Sequence, residues 1–288
     1  MIKMTHCQDK DDKGCSIIIP AHNEENYIEN CLRALLMQSP DTGTAQIIVI
    51  ANGCKDRTAC IARGFEFQAK GRGWRLDVIE IKRGNKTVAL NVGDRCAEYP
   101  TKIYIDADIL CEPTLIKKMK EVAVRPEPVY VTGTLKLAPT QSMVSRLYGS
   151  FWILLPFISG GAVGAGCYAV NGSGRMRWDE FPEIISDDSF ARLQFKQRER
   201  VEIDSSYQWP ISEGLVALVR VRKRQDVGMR ELFHRFPNLR QNESKQPLGA
   251  VYLAKCFFKR PFGGIIYIFI SIVVRLMPTP KNWSTGRN

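Results

Sequence analysis

Lys102-Ile103-Tyr104-Ile105-Asp106-Ala107-Asp108 is the stretch that decides the fold. An apolar run of strand length ends there on two carboxylates one residue apart. An open α/β sheet takes its ligands beyond the C-terminal ends of its strands, so acids delivered there are candidate ligand groups if the rest of the chain builds such a sheet. The same unit recurs on the N-terminal side, where short apolar runs at residues 16–19, 46–51 and 76–81 predict three more strands. Between them Ile28, Cys31, Leu32, Leu35 and Leu36 recur at helical spacing, Asp56 and Thr58 are placed to cap a helix running toward Phe67, and a third helix fits residues 87–98. The alternation predicts the α/β class, with a Rossmann-related open sheet flanked by helices.

Past about residue 130 the pattern changes. A strand is expected at 129–137, followed by the apolar, glycine-rich stretch 142–166, which has the character of an insertion. Its run of Leu147, Phe151, Trp152, Leu154, Leu155, Phe157 and Ile158 suits either buried core or an interfacial helix. The tail 261–278 is apolar at residues 265–274 but interrupted by Gly263, Gly264 and Arg275. It falls short of the roughly 20 apolar residues that span a bilayer, which favours an in-plane or re-entrant anchor.

The 288 residues carry a formal net charge of +11, which suits a polyanionic partner: nucleic acid, anionic lipid or a diphosphate ligand. Much of the excess lies at 220–240 and 255–260, beside the apolar tail, and that placement favours a membrane surface over a nucleic-acid groove. Nine cysteines without a C-x-x-C pair argue against a disulfide framework or a structural zinc site. The first residues, MIKMTHCQDKDDKG, lack the apolar core of a secretory signal, so reduced thiols and a cytoplasmic location are expected.

The residues that follow each strand carry the chemistry. Pro20-Ala21-His22-Asn23-Glu24-Glu25 leaves the first strand, and proline fixes the exit while Asn23 and Glu24 bring polar groups to the cleft. Asn52-Gly53-Cys54-Lys55-Asp56-Arg57-Thr58 forms a turn whose side chains suit a nucleobase. Arg83-Gly84-Asn85-Lys86 puts cations where a helix N-terminus already favours phosphate, without the spacing of a P-loop. Asp106 and Asp108 offer hard oxygen ligands for Mg²⁺ or Mn²⁺, with phosphates completing the shell. Ser186-Asp187-Asp188 supplies a second acidic pair at a helix start, and Asp188 is the candidate base that takes an acceptor's proton. Each segment alone also suits a turn or a helix cap.

In this order the segments resemble the family 2 glycosyltransferases of the GT-A fold, over about residues 15–200. The resemblance implies a GT-A-like mixed sheet and metal-dependent, inverting transfer of a sugar from a nucleoside diphosphate to an acceptor hydroxyl. It implies nucleotide-side roles for Pro20, Asn23, Glu24 and Asn52, beside Asp56 of the turn already read as facing a nucleobase, and a place in the family's glycine–lysine motif for Lys86. Asp106 and Asp108 correspond to its D-x-D, with Asp108 on the metal and Asp106 on ribose or metal, and Asp188 to its catalytic base. Asp187 stands where glutamate is usual.

Two departures qualify the match. Ala51-Asn52 replaces the paired aspartates that contact uracil in many members, so a uridine donor is favoured without that signature. Gln225-Asp226-Val227-Gly228-Met229 keeps only the glutamine of the Q-x-x-R-W motif of processive members, which favours single sugar addition. The expected organisation is a polar segment at 1–14 and a catalytic domain at 15–215, with its nucleotide-sugar half at 15–110 and its acceptor half at 111–215. A basic, apolar, membrane-associating extension follows at 216–288. The expected setting is bacterial exopolysaccharide or other surface-glycan synthesis on a glycan or lipid-linked acceptor, at the cytoplasmic face of the membrane and without nucleic acid. The rival readings are a nucleotidyltransferase and a non-enzymatic, membrane-associated nucleotide-sugar binding protein.

Overall fold

The computed structural model describes residues 14–158, 161–243 and 249–278; most of the polar segment at 1–14 lies outside them. The first half alternates as the sequence predicts. It contains β1 (Cys15–Ala21), α1 (Ile28–Leu36), β2 (Ala45–Asn52), α2 (Thr58–Arg63), α3 (Glu66–Gly71), β3 (Arg75–Ile81), α4 (Lys86–Cys96) and β4 (Thr101–Ile105). β1 and β2 are buried at every position. Parallel strands covered on both faces therefore appear in the sequence as near-continuous apolar runs rather than as alternation. Alternate residues feed opposite layers: Ile17, Ile19, Ile47 and Val49 pack with α1, while Ile18, Ile48 and Ile50 pack with Ala89 and Leu90 of α4.

The second half adds β5 (Leu110–Cys111), α5 (Leu115–Ala123), β6 (Tyr130–Leu137), α6 (Met143–Trp152), β7 (Cys167–Val170), α7 (Gly172–Arg175), α8 (Asp187–Leu193) and β8 (Arg200–Trp209). One eight-stranded sheet results, in the order β3-β2-β1-β4-β7-β6-β8-β5. Its first four strands are parallel, β7 is antiparallel to both β4 and β6, and β8 runs parallel to β6. The sheet is thus mixed. The antiparallel β7 brings the chain back to β4, so that the start of β7 lies beside the end of β4 with Ile105 opposite Cys167.

Several elements depart from the expected boundaries. The helix foreseen from Thr58 toward Phe67 is two helices, because the chain tightens at Gly64 and Phe65, whose N–H groups turn back to Ile61 and Ala62. The third helix stops at Cys96 rather than Glu98. The N–H groups of Glu98 and Tyr99 are taken by Gln46 and Ser16, side chains of the sheet, and no longer serve a helix.

The C-terminal part comprises α9 (Gly214–Arg235), α10 (Ala250–Lys259) and α11 (Pro261–Leu276). Phe151, Trp152, Leu155 and Ile158 are buried with Leu218, Val219, Ile270 and Val274 in one apolar cluster, so the stretch 147–158 contributes to core. There is no break at residue 215: α9 runs through it and packs on α6 and α11. Nor do the glycines interrupt the tail helix, which is continuous over 16 residues. A Cβ on Gly263 would lie 2.4 Å from the Leu147 carbonyl oxygen, and Gly263 therefore marks where α11 seats against α6. Among the described residues no helix is long and apolar enough to cross a membrane.

Candidate active site

The ends of β1, β2 and β4 and the start of α4 meet at one edge of the sheet. β1 and β2 are tied there by Asn52, which is 2% exposed and donates its amide to the Ala21 carbonyl at 2.8 Å. His22 Nδ1 lies 2.6 Å from the Asn52 carbonyl oxygen. Asn23 takes a left-handed backbone (φ 55°) and accepts from the Lys55 N–H at 2.8 Å. The Glu24 N–H donates to Thr58 Oγ1 at 2.8 Å. Asp56 accepts from the N–H groups of Thr58 and Glu25, both at 3.0 Å. Burial works against the Asp56 charge, but hydrogen bonds from Thr58 and Glu25 outweigh it and hold the carboxyl below its ordinary value. The two loops expected to face a nucleotide are therefore one interlocked unit. Asn52 and Asp56 act within it as internal ties, while Asn23 stays exposed at its surface.

Lys86 opens α4. Its neighbour Asn85 caps the helix, accepting from the N–H groups of Thr87 (3.0 Å) and Val88 (3.2 Å). The cap fixes the helix start and so fixes where the lysine departs. Lys86 Nζ then lies 2.9 Å from Asp106 Oδ1, 3.0 Å from Asp187 Oδ2 and 3.7 Å from Asp188 Oδ1. Three carboxylates drawn from two distant parts of the chain converge on a single ammonium. They line a cleft with Pro20, Leu90, Tyr104, Ile105, Gly166 and Tyr168.

Electrostatics follow from that count of charges. Burial lowers the Lys86 pKa, but Asp106, Asp187 and Asp188 together overcome it and raise it well above its ordinary value. Burial pushes the Asp188 carboxyl up, Lys86 pulls it back, and Asp187 and Asp106 push it up again. The net effect lies above the ordinary carboxylate range, which makes Asp188 a better proton acceptor once it is charged. Three carboxylates face one ammonium, so the cleft is acidic overall. The donors are all oxygen, which suits a hard ion. Among the described residues no group of three or more His, Cys, Asp or Glu is arranged to hold a metal by itself. Phosphate oxygens of a bound nucleotide would have to complete the shell. Asp106 is the member of the D-x-D that lines the cleft, and Asp108 follows it in the next turn at 9% exposure.

The contacts that bring the two acidic pairs together come from residues the sequence reading did not single out. Gly166 has φ 65°, donates its N–H to Asp188 Oδ2 at 3.1 Å and accepts from the Asp106 N–H at 2.8 Å. One glycine therefore links both. A Cβ there would lie 3.0 Å from Asp106 Oδ2. Gly166→Ala is expected to cost about 1–2 kcal/mol for the left-handed backbone and to slow any chemistry at Asp106 and Asp188. Melting temperature and turnover measured on the same preparation check this. Unchanged turnover would show that the placement of the acids does not depend on Gly166.

Glu183, also unforeseen, accepts from Arg83 at 2.8 Å and from Asn85 at 3.0 Å, bracing the α4 loop against the approach to α8. Helix α9 supports the same approach. Glu231 accepts from the Ile185 N–H at 3.2 Å, and a Cβ on Gly228 would come 2.3 Å from Ser186 Oγ. The segment at 225–229 that keeps only the glutamine of the processive motif thus lies against the residue preceding the acidic pair. Tyr168 stacks on Tyr104 at 4.9 Å and on Tyr130 at 5.1 Å, and these buried rings form part of the core that β4, β6 and β7 share. The apolar end of the stretch 142–166 was the available signal for Gly166. Its link to the acids is a long-range contact that no spacing rule encodes.

Comparison with known proteins bears on the fold and the family of the chain. "Uncharacterized glycosyltransferase EpsJ" of Bacillus subtilis (strain 168) is 32% identical over 108 residues, 38% of this chain and 30% of that protein. The match thus spans less than a third of that relative. Among solved structures, a mannosyltransferase from Pyrobaculum calidifontis, PcManGT, in complex with GDP-Man and Mn²⁺, superposes with a TM-score of 0.58 at 16% identity, over 92% of this chain and 76% of that one. S. aureus TarS 1–349 in complex with UDP-GlcNAc superposes with a TM-score of 0.52 at 15% identity, over 91% of each chain. These likenesses establish the GT-A fold, a curled open mixed sheet flanked by helices. The model of the family described as "Glycosyl transferase family 2" matches residues 16–160, from β1 to just past α6, which is half of the sequence. This chain belongs to glycosyl transferase family 2.

Proposed function

We propose that this protein is an inverting glycosyltransferase that moves a sugar from a nucleoside diphosphate to an acceptor hydroxyl. The observation that carries the reading is the meeting of Lys86, Asp106, Asp187 and Asp188 in one cleft at the C-terminal ends of the parallel strands. Asp188 takes the proton of the acceptor hydroxyl while the acceptor's oxygen forms a bond to the anomeric carbon. The bond from that carbon to the diphosphate oxygen breaks on the opposite face, and the electron pair leaves with the diphosphate. Asp106 would hold a divalent cation, Mg²⁺ or Mn²⁺, with Asp108 supporting the turn or adding a ligand. When bound, that cation supplies charge stabilisation to the leaving diphosphate. Lys86, at the N-terminus of α4, faces the same phosphates with its ammonium. Pro20, Asn23, Glu24 and the loop held by Asn52 and Asp56 form the nucleotide side.

A uridine diphosphate donor is favoured, with single additions in the synthesis of a bacterial surface glycan on a glycan or lipid-linked acceptor. The relatives' ligands, GDP-Man and UDP-GlcNAc, support a nucleotide-sugar donor and leave the base open between them.

The test is to present a panel of nucleotide sugars, with Mn²⁺, Mg²⁺ or chelator, and to follow nucleoside diphosphate release and sugar transfer to added glycan or lipid-linked acceptors. Metal-dependent release of the diphosphate is the expected result. Pyrophosphate release from a nucleoside triphosphate would identify a nucleotidyltransferase instead. Nucleotide-sugar binding without turnover on any acceptor, unaffected by Asp188→Asn, would favour a binding protein.

A further inference from the structure

The outer face of α10 and α11 is apolar and basic, and the described residues leave it uncovered. Along α11, Phe262, Ile265, Phe269, Ile272 and Leu276 recur at i, i+3, i+7, i+10 and i+14, which places them on one face. All five are between 50% and 80% exposed, and Phe258 at the end of α10 extends the stripe at 91%. Single exposed apolar residues are ordinary, but a contiguous stripe along a helix marks a contact surface.

That face is held outward by firm seating on the other side. Gly263, Gly264, Ile270 and Val274 are buried, and Tyr267 packs on Tyr148 (5.6 Å) and Phe151 (5.3 Å). Lys223, itself 5% exposed, donates to the carbonyls of Val274 (3.0 Å) and Met277 (2.6 Å) and so caps the C-terminus of α11. The helix is anchored to the protein and its stripe is fixed toward solvent.

Charge selects the occupant. Lys255, Lys259, Arg260 and Arg275 are exposed beside the stripe, and the sequence carries no Asp or Glu after Glu243. A second copy of the same face would bring like charges together, whereas an anionic lipid surface complements them. At 16 residues α11 is about 24 Å long, short of a bilayer's roughly 30 Å hydrocarbon core, so it suits lying in the interface.

We propose that the outer face of α10 and α11 docks in plane on an anionic lipid bilayer. This goes beyond the transfer reaction and stands on residues remote in sequence from its acids. The Tyr252 hydroxyl of α10 donates to the Leu154 carbonyl at 2.7 Å, which ties α10 to the chain just after α6.

Co-sedimentation of the full chain with phosphatidylcholine vesicles, with and without phosphatidylglycerol, tests the proposal. Binding is expected only to the anionic vesicles and is expected to weaken with salt. It should fall about 10-fold or more in Phe262→Ser/Phe269→Ser/Ile272→Ser and in Lys255→Glu/Lys259→Glu. These positions are exposed, so both variants should keep the parental melting temperature. Asp188→Asn should bind vesicles like the parent, which separates failure of docking from failure of the transferase reading. Undiminished vesicle binding by the folded apolar variant would overturn the proposal. So would a dimer, seen by analytical ultracentrifugation, that the apolar substitutions abolish while the parent ignores vesicles.

Discussion

Asp188→Asn is expected to leave donor affinity close to that of the parent and to slow transfer about 100-fold or more, the usual contribution of a positioned general base. The substitution is conservative where it touches structure. Asparagine keeps an oxygen that can accept the Gly166 N–H now bound at 3.1 Å by Asp188 Oδ2. It loses the charge and the ability to take a proton. A residue that served only the start of α8 would behave differently, with a change of about 1 kcal/mol in stability and a modest effect on rate. Melting temperature, donor affinity and turnover on one preparation separate the two cases. Near-normal turnover in the folded variant would reject Asp188 as the base and move attention to Asp187, whose side chain is 8% exposed and lies 3.0 Å from Lys86.

Lys86→Met should be nearly as severe, for a different reason. Without the ammonium, Asp106, Asp187 and Asp188 face one another with no cation among them, and like charges that share a site cannot all stay ionised. Removing one partner of a fully buried ion pair costs about 3–5 kcal/mol. Lys86 is 33% exposed, so water screens part of that penalty and a destabilisation of about 1–3 kcal/mol is expected. Added Mn²⁺ should restore much of the lost stability, since it supplies the missing positive charge, yet transfer should remain about 100-fold down because no side chain replaces the lysine at the phosphates. Thermal melting with and without Mn²⁺, together with turnover, reads both effects. A parental melting temperature and parental turnover would remove Lys86 from the site. Lys86→Arg should fall between, because it keeps the charge but changes the point ammonium for a planar fork.

Both predictions rest on residues visible in the sequence, which their order and the family resemblance combined into one site, but the contacts that join them were not visible there. The D-x-D at Asp106, the lysine at the head of a helix and the acidic pair at 187–188 each stand at the end of a strand or the start of a helix. Local pattern is enough to place them there. Strand β7 then runs antiparallel beside β4, and Gly166 at its entrance hydrogen-bonds to both acidic segments. A strand of four residues gives almost no periodic signal. Asn52 and Asp56 illustrate the converse. Their positions at the end of β2 and in the turn after it suggested a nucleotide-facing surface, while their hydrogen bonds to Ala21, Thr58 and Glu25 show them fastening two loops together.

The sequence by itself determined the βαβ half of the sheet, the acids and lysine at its ligand-binding edge, and an apolar, basic C-terminus too short to span a bilayer. These are properties of local periodicity, capping chemistry and composition, which act over a few residues and leave their mark there. Only the tertiary structure decided that Asp106, Asp187 and Asp188 share one ammonium. It alone decided that Phe151, Trp152 and Leu155 are core, and that Gly263 lets α11 seat on α6 while its stripe from Phe262 to Leu276 faces outward. An apolar residue looks the same in sequence whether it is buried or exposed. Which fate it meets depends on partners brought close by chain segments far away, and here those partners are set by how β6, β7 and α9 fold back on the first half.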